Sequence, residues 1–378
     1  MKSKKKYTLF ITLFLLLIIG TYYFVLKDYS LKEFEASLQN CNIFYIVISF
    51  ICVFLFTFFG ALFLKRMLKH FNKKVTWFHS FGYVMTEIYF SAITPSSTGG
   101  QPVQMYEMNK DGIMVRTSGI VVLLNTILYK IALILIALVL VPIYLKSIFN
   151  INTLFNYLIV LGTITNILVI ILFIAMIYSK KTLPKMIKGL ISFGNKIHII
   201  RNKEALIKKF EDALKDYKKC ASITKQKPLI LLEGLIYMIL QRLSILSISY
   251  FIYLSFGLDK ISCLELIAFQ VCITLASDFV PLPGGVGISE SLLLKINKFI
   301  YGATLATSSM ILLRGISFYI FVVLGGIFYL IFHLSKRAKA KRISWKSDSF
   351  NVLYNIKNTK EWSNWNEQMF SLGGGVNL

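Results

Sequence analysis

The chain has 378 residues, of which 56% are hydrophobic, and its formal charge is +24 at neutral pH. This hydrophobic share excludes an ordinary protein that folds in water around one core, and it indicates the lipid bilayer as the solvent. The positive charge would suggest nucleic acid in a soluble protein. Here the Lys and Arg residues fall in blocks beside apolar segments, as expected for a membrane protein, so we expect no bound nucleic acid.

Six apolar runs are long enough to cross the membrane, which takes about 20 residues for about 30 Å of hydrocarbon. The first run follows a lysine cluster at 2–6 and lacks a small-residue cleavage site after it. It is therefore predicted to be a retained signal anchor. The six runs are 7–25, 43–64, 118–144, 156–178, 229–254 and 304–334.

The basic blocks predict the orientation of these spans. They lie at 2–6, 65–74, 180–227 and 336–346, whereas 27–40, 145–155 and 256–262 are poor in net positive charge. The positive-inside rule then places both termini of this multi-pass membrane protein in the cytoplasm. These sides require two segments to enter the membrane and return to the face from which they came. The segments are 77–113 and 263–299, and they enter from opposite faces.

The two returning segments share a pattern and a constant spacing. Pro281 lies 186 positions after Pro95, and the same offset moves 43–64, 77–113 and 118–144 onto elements of the second half. Interrupted segments at matching positions of two halves are typical of inverted-repeat transporters. The sequence therefore predicts an all-α polytopic membrane protein, with about six full transmembrane helices and two re-entrant broken-helix hairpins in an inverted repeat.

This organisation divides the chain into five parts. They are the signal-anchor helix and outer loop (1–42), the first half with hairpin 77–113 (43–144), a connecting helix and basic cytoplasmic amphipathic segment (145–228), the second half with hairpin 263–299 (229–334), and a basic, then polar, cytoplasmic tail (335–378).

The hairpin tips are candidate anion sites. Pro and Gly stop helices, and inside a membrane a stopped helix requires contact with protein or a water-filled cavity. If helices restart after Gly100 and Gly287, their free N–H groups and positive dipole ends suit a phosphate. The alternative interpretation is a pair of ordinary turns between helices at the surface.

Three cations, Lys130, Arg242 and Arg314, lie about 15 to 20 Å deep in their runs. Buried charges are expensive in a membrane, so they are expected to be paired or functional. One interpretation pairs them with the hairpin carboxylates Glu87, Glu107, Asp278 or Glu290; the other has them bind an anionic headgroup, and both can hold together. The predicted lipid-binding residues are Pro95, Ser96, Ser97, Thr98, Gly99, Gly100, Gln101, Glu107, Lys130, Arg242, Asp278, Pro281, Pro283, Gly284, Gly285, Gly287, Glu290 and Arg314.

The motifs PSSTGGQPV at 95–103 and PLPGGVGISE at 281–290, with Arg314 downstream, carry a family resemblance. From about 7 to 334 the chain resembles the membrane domain of lysylphosphatidylglycerol synthases, the multiple peptide resistance factors. This resemblance implies flipping of aminoacylated phosphatidylglycerol and resistance to cationic antimicrobial peptides. In that family a separate soluble domain transfers lysine from lysyl-tRNA. Only 44 residues follow 334, so we expect that domain to be missing.

The leading hypothesis is a protein that binds and translocates phosphatidylglycerol or its lysyl ester. One alternative is a phosphatidylglycerol lysyltransferase, with a separately encoded synthase as partner. The other is a small-solute secondary transporter, for which broken helices are equally natural. The five cysteines and four histidines lack metal-ligand spacing. No metal, cofactor or catalytic residue is predicted, and a homo-oligomer stays open.

Overall fold

The computed structural model describes residues 41–94, 99–151, 153–178, 228–278 and 288–335, together with residues 35, 38, 39, 189 and 192. Several predictions fall outside these residues: the signal anchor at 7–25, the amphipathic segment at 201–227, the tail after 343, residues 95–98 of the first hairpin tip and the second tip at 281–287.

The described residues are mostly helical and contain no strand, which confirms the all-α prediction. The helices are α1 (Ile43–His70), α2 (Trp77–Ala92), α3 (Gly100–Lys110), α4 (Val115–Ile143), α5 (Leu145–Phe149), α6 (Thr153–Tyr178), α7 (Pro228–Leu246), α8 (Ile248–Ser255), α9 (Cys263–Asp278) and α10 (Ile288–Arg314).

Five stretches among the described residues are long and apolar enough to cross a membrane. They are Ile43–His70, Val115–Ile143, Thr153–Ala175, Pro228–Ser255 and Ser289–Ser335. Each overlaps one of the predicted runs, and the remaining run, 7–25, lies outside the described residues. On α6 the apolar side chains of Leu168 and Ile171 are 60% and 58% exposed, as expected for a helix whose solvent is lipid. The chain is thus a multi-pass membrane protein.

The helix bounds repeat at the spacing found in the sequence. Helices α2 and α9 both have 16 residues, and both ends of α9 lie 186 positions after those of α2. Helix α1 corresponds to the stretch formed by α7 and α8, and it packs against both. These correspondences support an internal repeat, whereas the opposite orientation of its halves stays a prediction.

Helices α2 and α3 form an antiparallel hairpin. Near its closed end the Gln104 side chain donates to Glu87 Oε2 over 2.9 Å, and farther along the Tyr83 hydroxyl donates to Asp111. The later residue of the second segment therefore contacts the earlier residue of α2. This pattern shows that the two segments run in opposite directions. The polar side of the hairpin faces α4, which packs on α3 and hydrogen-bonds to Glu87 through Asn125 and to Gln101 through Thr126.

Helix α10 has one kink inside it and is followed by a second irregular turn. Gly302 has a φ of 79° and kinks it, a left-handed backbone conformation that glycine adopts at low cost. Directly after Arg314 the chain forms a π turn (Gly315–Tyr319) and then continues as helix over 320–335. Among the described residues, those up to Gly326 belong to one compact unit and those after it to a second.

We expect the two hairpin tips to open toward opposite faces of the membrane, because basic blocks flank them on opposite sides. In a variant without native cysteines, Ser97→Cys and Leu282→Cys should react with an impermeant thiol reagent added from opposite sides of oriented vesicles. Labelling of both positions from one side only would contradict the inverted repeat.

Candidate functional site

A cavity of about 750 Å³ lies among helices of both halves, within the first compact unit. Its walls are mostly apolar, but three spans each bring a cation to about the middle of their length, and α2 and α9 each bring a carboxylate. The charged residues that line it are Glu87, Lys130, Arg242, Asp278 and Arg314.

Lys130 connects three helices around the cavity. Its Nζ donates to Asn166 Oδ1 over 2.5 Å and lies 3.3 Å from Asp278 Oδ2. The close crossing of α6 and α9 makes this possible: a Cβ on Gly162 would lie 1.9 Å from the carbonyl oxygen of Leu275. Because Asn166 is one turn after Gly162 and Asp278 follows Leu275 by three residues, both side chains reach the ammonium group.

Arg314 is held by the carboxylate of Glu290. Its Nε donates to Glu290 Oε1 over 2.8 Å, and the Tyr319 hydroxyl donates to the same oxygen over 2.9 Å. Residues five apart project about 140° apart on an α-helix. The π turn after Arg314, with its i→i+5 hydrogen bonding, brings the two side chains nearer to one face. The irregular turn therefore allows both residues to bind one buried carboxylate.

Arg242 lies near two aromatic rings. Its guanidinium carbon is 3.7 Å from the centre of the Tyr129 ring and 5.2 Å from that of Phe56. Such stacking suits a planar, weakly hydrated cation. Its Nε is buried and has no hydrogen-bond partner among the residues that the structure describes.

Glu87 faces the cavity from α2 and is held by two amides. Its Oε2 accepts from Gln104 over 2.9 Å and its Oε1 from Asn125 over 3.4 Å. Nearby, Gln101 Nε2 donates to Thr126 Oγ1 over 2.6 Å. Polar side chains of α3 and α4 thus line the wall beside the carboxylate.

The structure separates the predicted site residues into three groups. Gln101, Lys130, Arg242, Asp278 and Arg314 line the cavity, and Glu290 is bonded to Arg314. Gly99 and Gly100 stand at the start of α3 and are not among the lining residues. Outside the described residues lie Pro95, Ser96, Ser97, Thr98, Pro281, Pro283, Gly284, Gly285 and Gly287.

Glu107 is placed away from the cavity. Its side chain is fully buried and lies 3.2 Å from Lys110 Nζ, near the end of α3. Burial lowers the pKa of Lys110. The hydrogen bond and charge of Glu107 raise it by a larger amount, so the pKa of Lys110 is above its ordinary value. This pair belongs to the end of the hairpin that carries Asp111, and neither residue lines the cavity.

Several cavity residues were not in the predicted site. Glu87 was considered as an ion-pair partner only, and the others are polar or aromatic residues inside apolar helices. A polar amide in a membrane helix is a usable signal, because it must find a partner or a cavity. The missed lining residues include Phe56, Glu87, Asn125, Thr126, Tyr129, Gln241, Gln270 and Thr274.

Comparison with known proteins decides the family. The sequence profile described as "Lysylphosphatidylglycerol synthase TM region" matches residues 9–325. The chain belongs to this family. Over 105 residues it is also 29% identical to a "UPF0104 membrane protein" of Archaeoglobus fulgidus, a match that covers 28% of this chain and 32% of that protein. The chain thus matches about a third of the length of that relative. Membership ties this membrane protein to a family of lipid-handling proteins.

Proposed function

We propose that this member of the lysylphosphatidylglycerol synthase transmembrane family binds and translocates a phospholipid with an anionic or aminoacylated headgroup, such as phosphatidylglycerol or its lysyl ester. The cavity carries the proposal, because charged side chains of both halves surround about 750 Å³ among helices that include three membrane-spanning stretches with a cation each. A charge at the bilayer centre costs about 2.5 to 3.5 kcal/mol on the insertion scale. Three such residues, Lys130, Arg242 and Arg314, around one space are best explained by a charged ligand.

The size of the cavity favours a headgroup. Pockets for compounds of drug size have volumes of about 300 to 1,000 Å³, and a phosphorylated glycerol headgroup needs no more. The two acyl chains would then stay in the surrounding hydrocarbon, where the exposed apolar faces of the helices are already solvated by lipid. The family of the chain favours this reading over a small polar solute.

The wider setting is part of the same proposal. The basic blocks beside the spans support cytoplasmic termini in a bacterial inner membrane. In that setting, movement of a lysylated lipid to the outer leaflet would lower its negative charge and increase resistance to cationic antimicrobial peptides. A synthase on another chain would supply the lipid.

The test is translocation in liposomes. The purified protein, reconstituted in phosphatidylcholine vesicles with a trace of phosphatidylglycerol labelled on an acyl chain, should move the label between leaflets. Dithionite reduction of the outer-leaflet label measures this movement. We expect a rate clearly above that of protein-free and heat-inactivated vesicles, and equal rates would contradict the proposal. Newly formed lysyl-lipid in a host that lacks it would instead favour the lysyltransferase alternative.

A further inference from the structure

The carboxyl groups at the cavity differ in how their charge is compensated. Asp278 lies 3.3 Å from the ammonium group of Lys130, and Glu290 lies 2.8 Å from the guanidinium of Arg314. Glu87 lines the same cavity but forms no salt bridge with any residue that the structure describes. Ionisation of a buried carboxyl group without a nearby cation is costly, and such a group commonly binds a proton instead.

The hairpin holds Glu87 in place with neutral groups. A Cβ on Gly100 would lie 2.3 Å from the backbone carbonyl oxygen of Glu87, so α3 begins in direct contact with α2. One turn later on α3, Gln104 Nε2 donates to Glu87 Oε2 over 2.9 Å, and Asn125 of α4 donates to Oε1 over 3.4 Å. A protonated carboxyl group still accepts hydrogen bonds. Both amides can therefore hold Glu87 with or without a proton.

A buried acceptor on the same hairpin lacks a donor. Gln104 is completely buried, and its Oε1 has no hydrogen-bond partner among the described residues. Buried polar atoms are rarely left unsatisfied. An ionised carboxylate can only accept, whereas a protonated carboxyl group also carries an O–H donor. Protonation of Glu87 thus adds a donor next to an amide whose oxygen is unsatisfied.

The charges around Glu87 determine when it binds a proton. Helix α1, which packs on α2, has no charged residue before Lys65. On the hairpin, Tyr83 is bonded to Asp111 and Glu107 to Lys110. Arg242 of α7 acts on Glu87 through its positive charge, which favours the ionised form in the empty cavity. The other titratable lining residues on α4, α9 and α10 are Tyr129, Lys130, Asp278 and Arg314.

An anion in the cavity shifts this balance toward the protonated form. A phosphodiester engages the positive groups and brings a second negative charge close to Glu87. Like charges repel strongly where water screens them poorly, so the ionised carboxylate becomes more costly. Binding of the anion therefore promotes binding of the proton, and by linkage the proton promotes binding of the anion to the same extent.

We propose that Glu87 is a proton-binding site, which takes up one proton from water when an anionic headgroup enters the cavity and returns it to water when the headgroup leaves. The O–H bond at a Glu87 oxygen is the only bond that forms and breaks. A monoanionic lipid then crosses with one proton as a neutral unit, and a pH gradient across the membrane can drive its movement. This coupling rests on the proposed function, whereas the proton site itself does not.

The test is the pH dependence of phosphatidylglycerol binding to the solubilised protein. In the native protein the affinity should rise as the pH falls, by up to about tenfold per pH unit, which is the limit for one linked proton. Glu87→Gln keeps the shape of the side chain and resembles its protonated form. This variant should bind at every pH with the affinity that the native protein reaches at the acid end.

Two variants serve as matched controls. Glu265→Gln changes a carboxyl group that does not line the cavity, and His79→Gln removes the histidine near the start of α2. Both should keep the native pH dependence, and each variant must melt near the native temperature in detergent. Binding to the native protein that does not change with pH, or an unchanged pH dependence in Glu87→Gln, would overturn the proposal while leaving lipid binding intact.

Infrared spectroscopy tests the proton site independently of lipid binding. The difference between spectra of the solubilised protein at acid and alkaline pH should contain the C=O stretching band of a protonated carboxyl group. Glu87→Gln should lose one component of this band. That loss would support the proton site even if phosphatidylglycerol fails to bind, a result that would count against the proposed function. Identical difference spectra for the two proteins would overturn the site.

Discussion

Arg314→Ala is expected to lower the free energy of unfolding by about 3 to 5 kcal/mol, the usual effect of removing one partner of a buried ion pair. The side chains of Arg314 and Glu290 are only 11% and 3% exposed, so the remaining carboxylate would keep its charge away from water. The hydroxyl groups of Tyr319 and Ser289 would still donate hydrogen bonds to it, but a hydroxyl does not neutralise a charge. Unfolding of the purified protein in mixed detergent micelles, followed by circular dichroism, measures the change.

Two further variants test this cause. Arg314→Ala combined with Glu290→Gln should recover part of the lost stability, because no uncompensated charge remains. Arg66→Ala is the matched surface control: its partner Glu233 is 3.5 Å away, and the two side chains are 47% and 33% exposed. Such exposed pairs contribute about 0 to 1 kcal/mol. If Arg314→Ala unfolds like the Arg66 variant, the buried pair does not hold α10 in place.

Lys130→Met is expected to slow translocation of phosphatidylglycerol about tenfold. The substitution keeps an unbranched side chain that is only one atom shorter, but it removes the positive charge that faces Asp278 and Asn166. The cavity then gains a net negative charge, which repels an anionic headgroup in a region where water screens it poorly. A tenfold effect corresponds to about 1.4 kcal/mol. The liposome assay with labelled phosphatidylglycerol measures it.

The charge itself, rather than the shape of the side chain, is the expected cause. Lys130→Met combined with Asp278→Asn restores the charge balance and should recover most of the rate. Lys146→Met, at an exposed lysine of α5 outside the cavity, should leave translocation unchanged. A double variant as slow as the single one would show that the contact between α4, α6 and α9 matters for structure and that the charge of Lys130 does not guide the lipid.

The sequence by itself determined the spans and the internal spacing. Hydrophobic runs, basic blocks and the breaks at Pro and Gly are local properties, and the length of a membrane-spanning helix follows from the thickness of the bilayer. For this reason five of the six predicted runs overlap spans among the described residues. The offset of 186 positions also reappears between α2 and α9.

Only the tertiary structure decided which charges compensate one another. The sequence placed Lys130, Arg242 and Arg314 at similar depth and left ion pairing and ligand binding open for all three. Lys130 and Asp278 are 148 positions apart, and no local pattern shows that the crossing at Gly162 brings Asn166 to the same ammonium. The pairing of Arg314 with Glu290 depends on the crossing of α10 segments and on a π turn. Hydropathy does not encode these contacts, because they depend on how helices pack side by side. The same packing leaves Arg242 and Glu87 without ion-pair partners among the described residues.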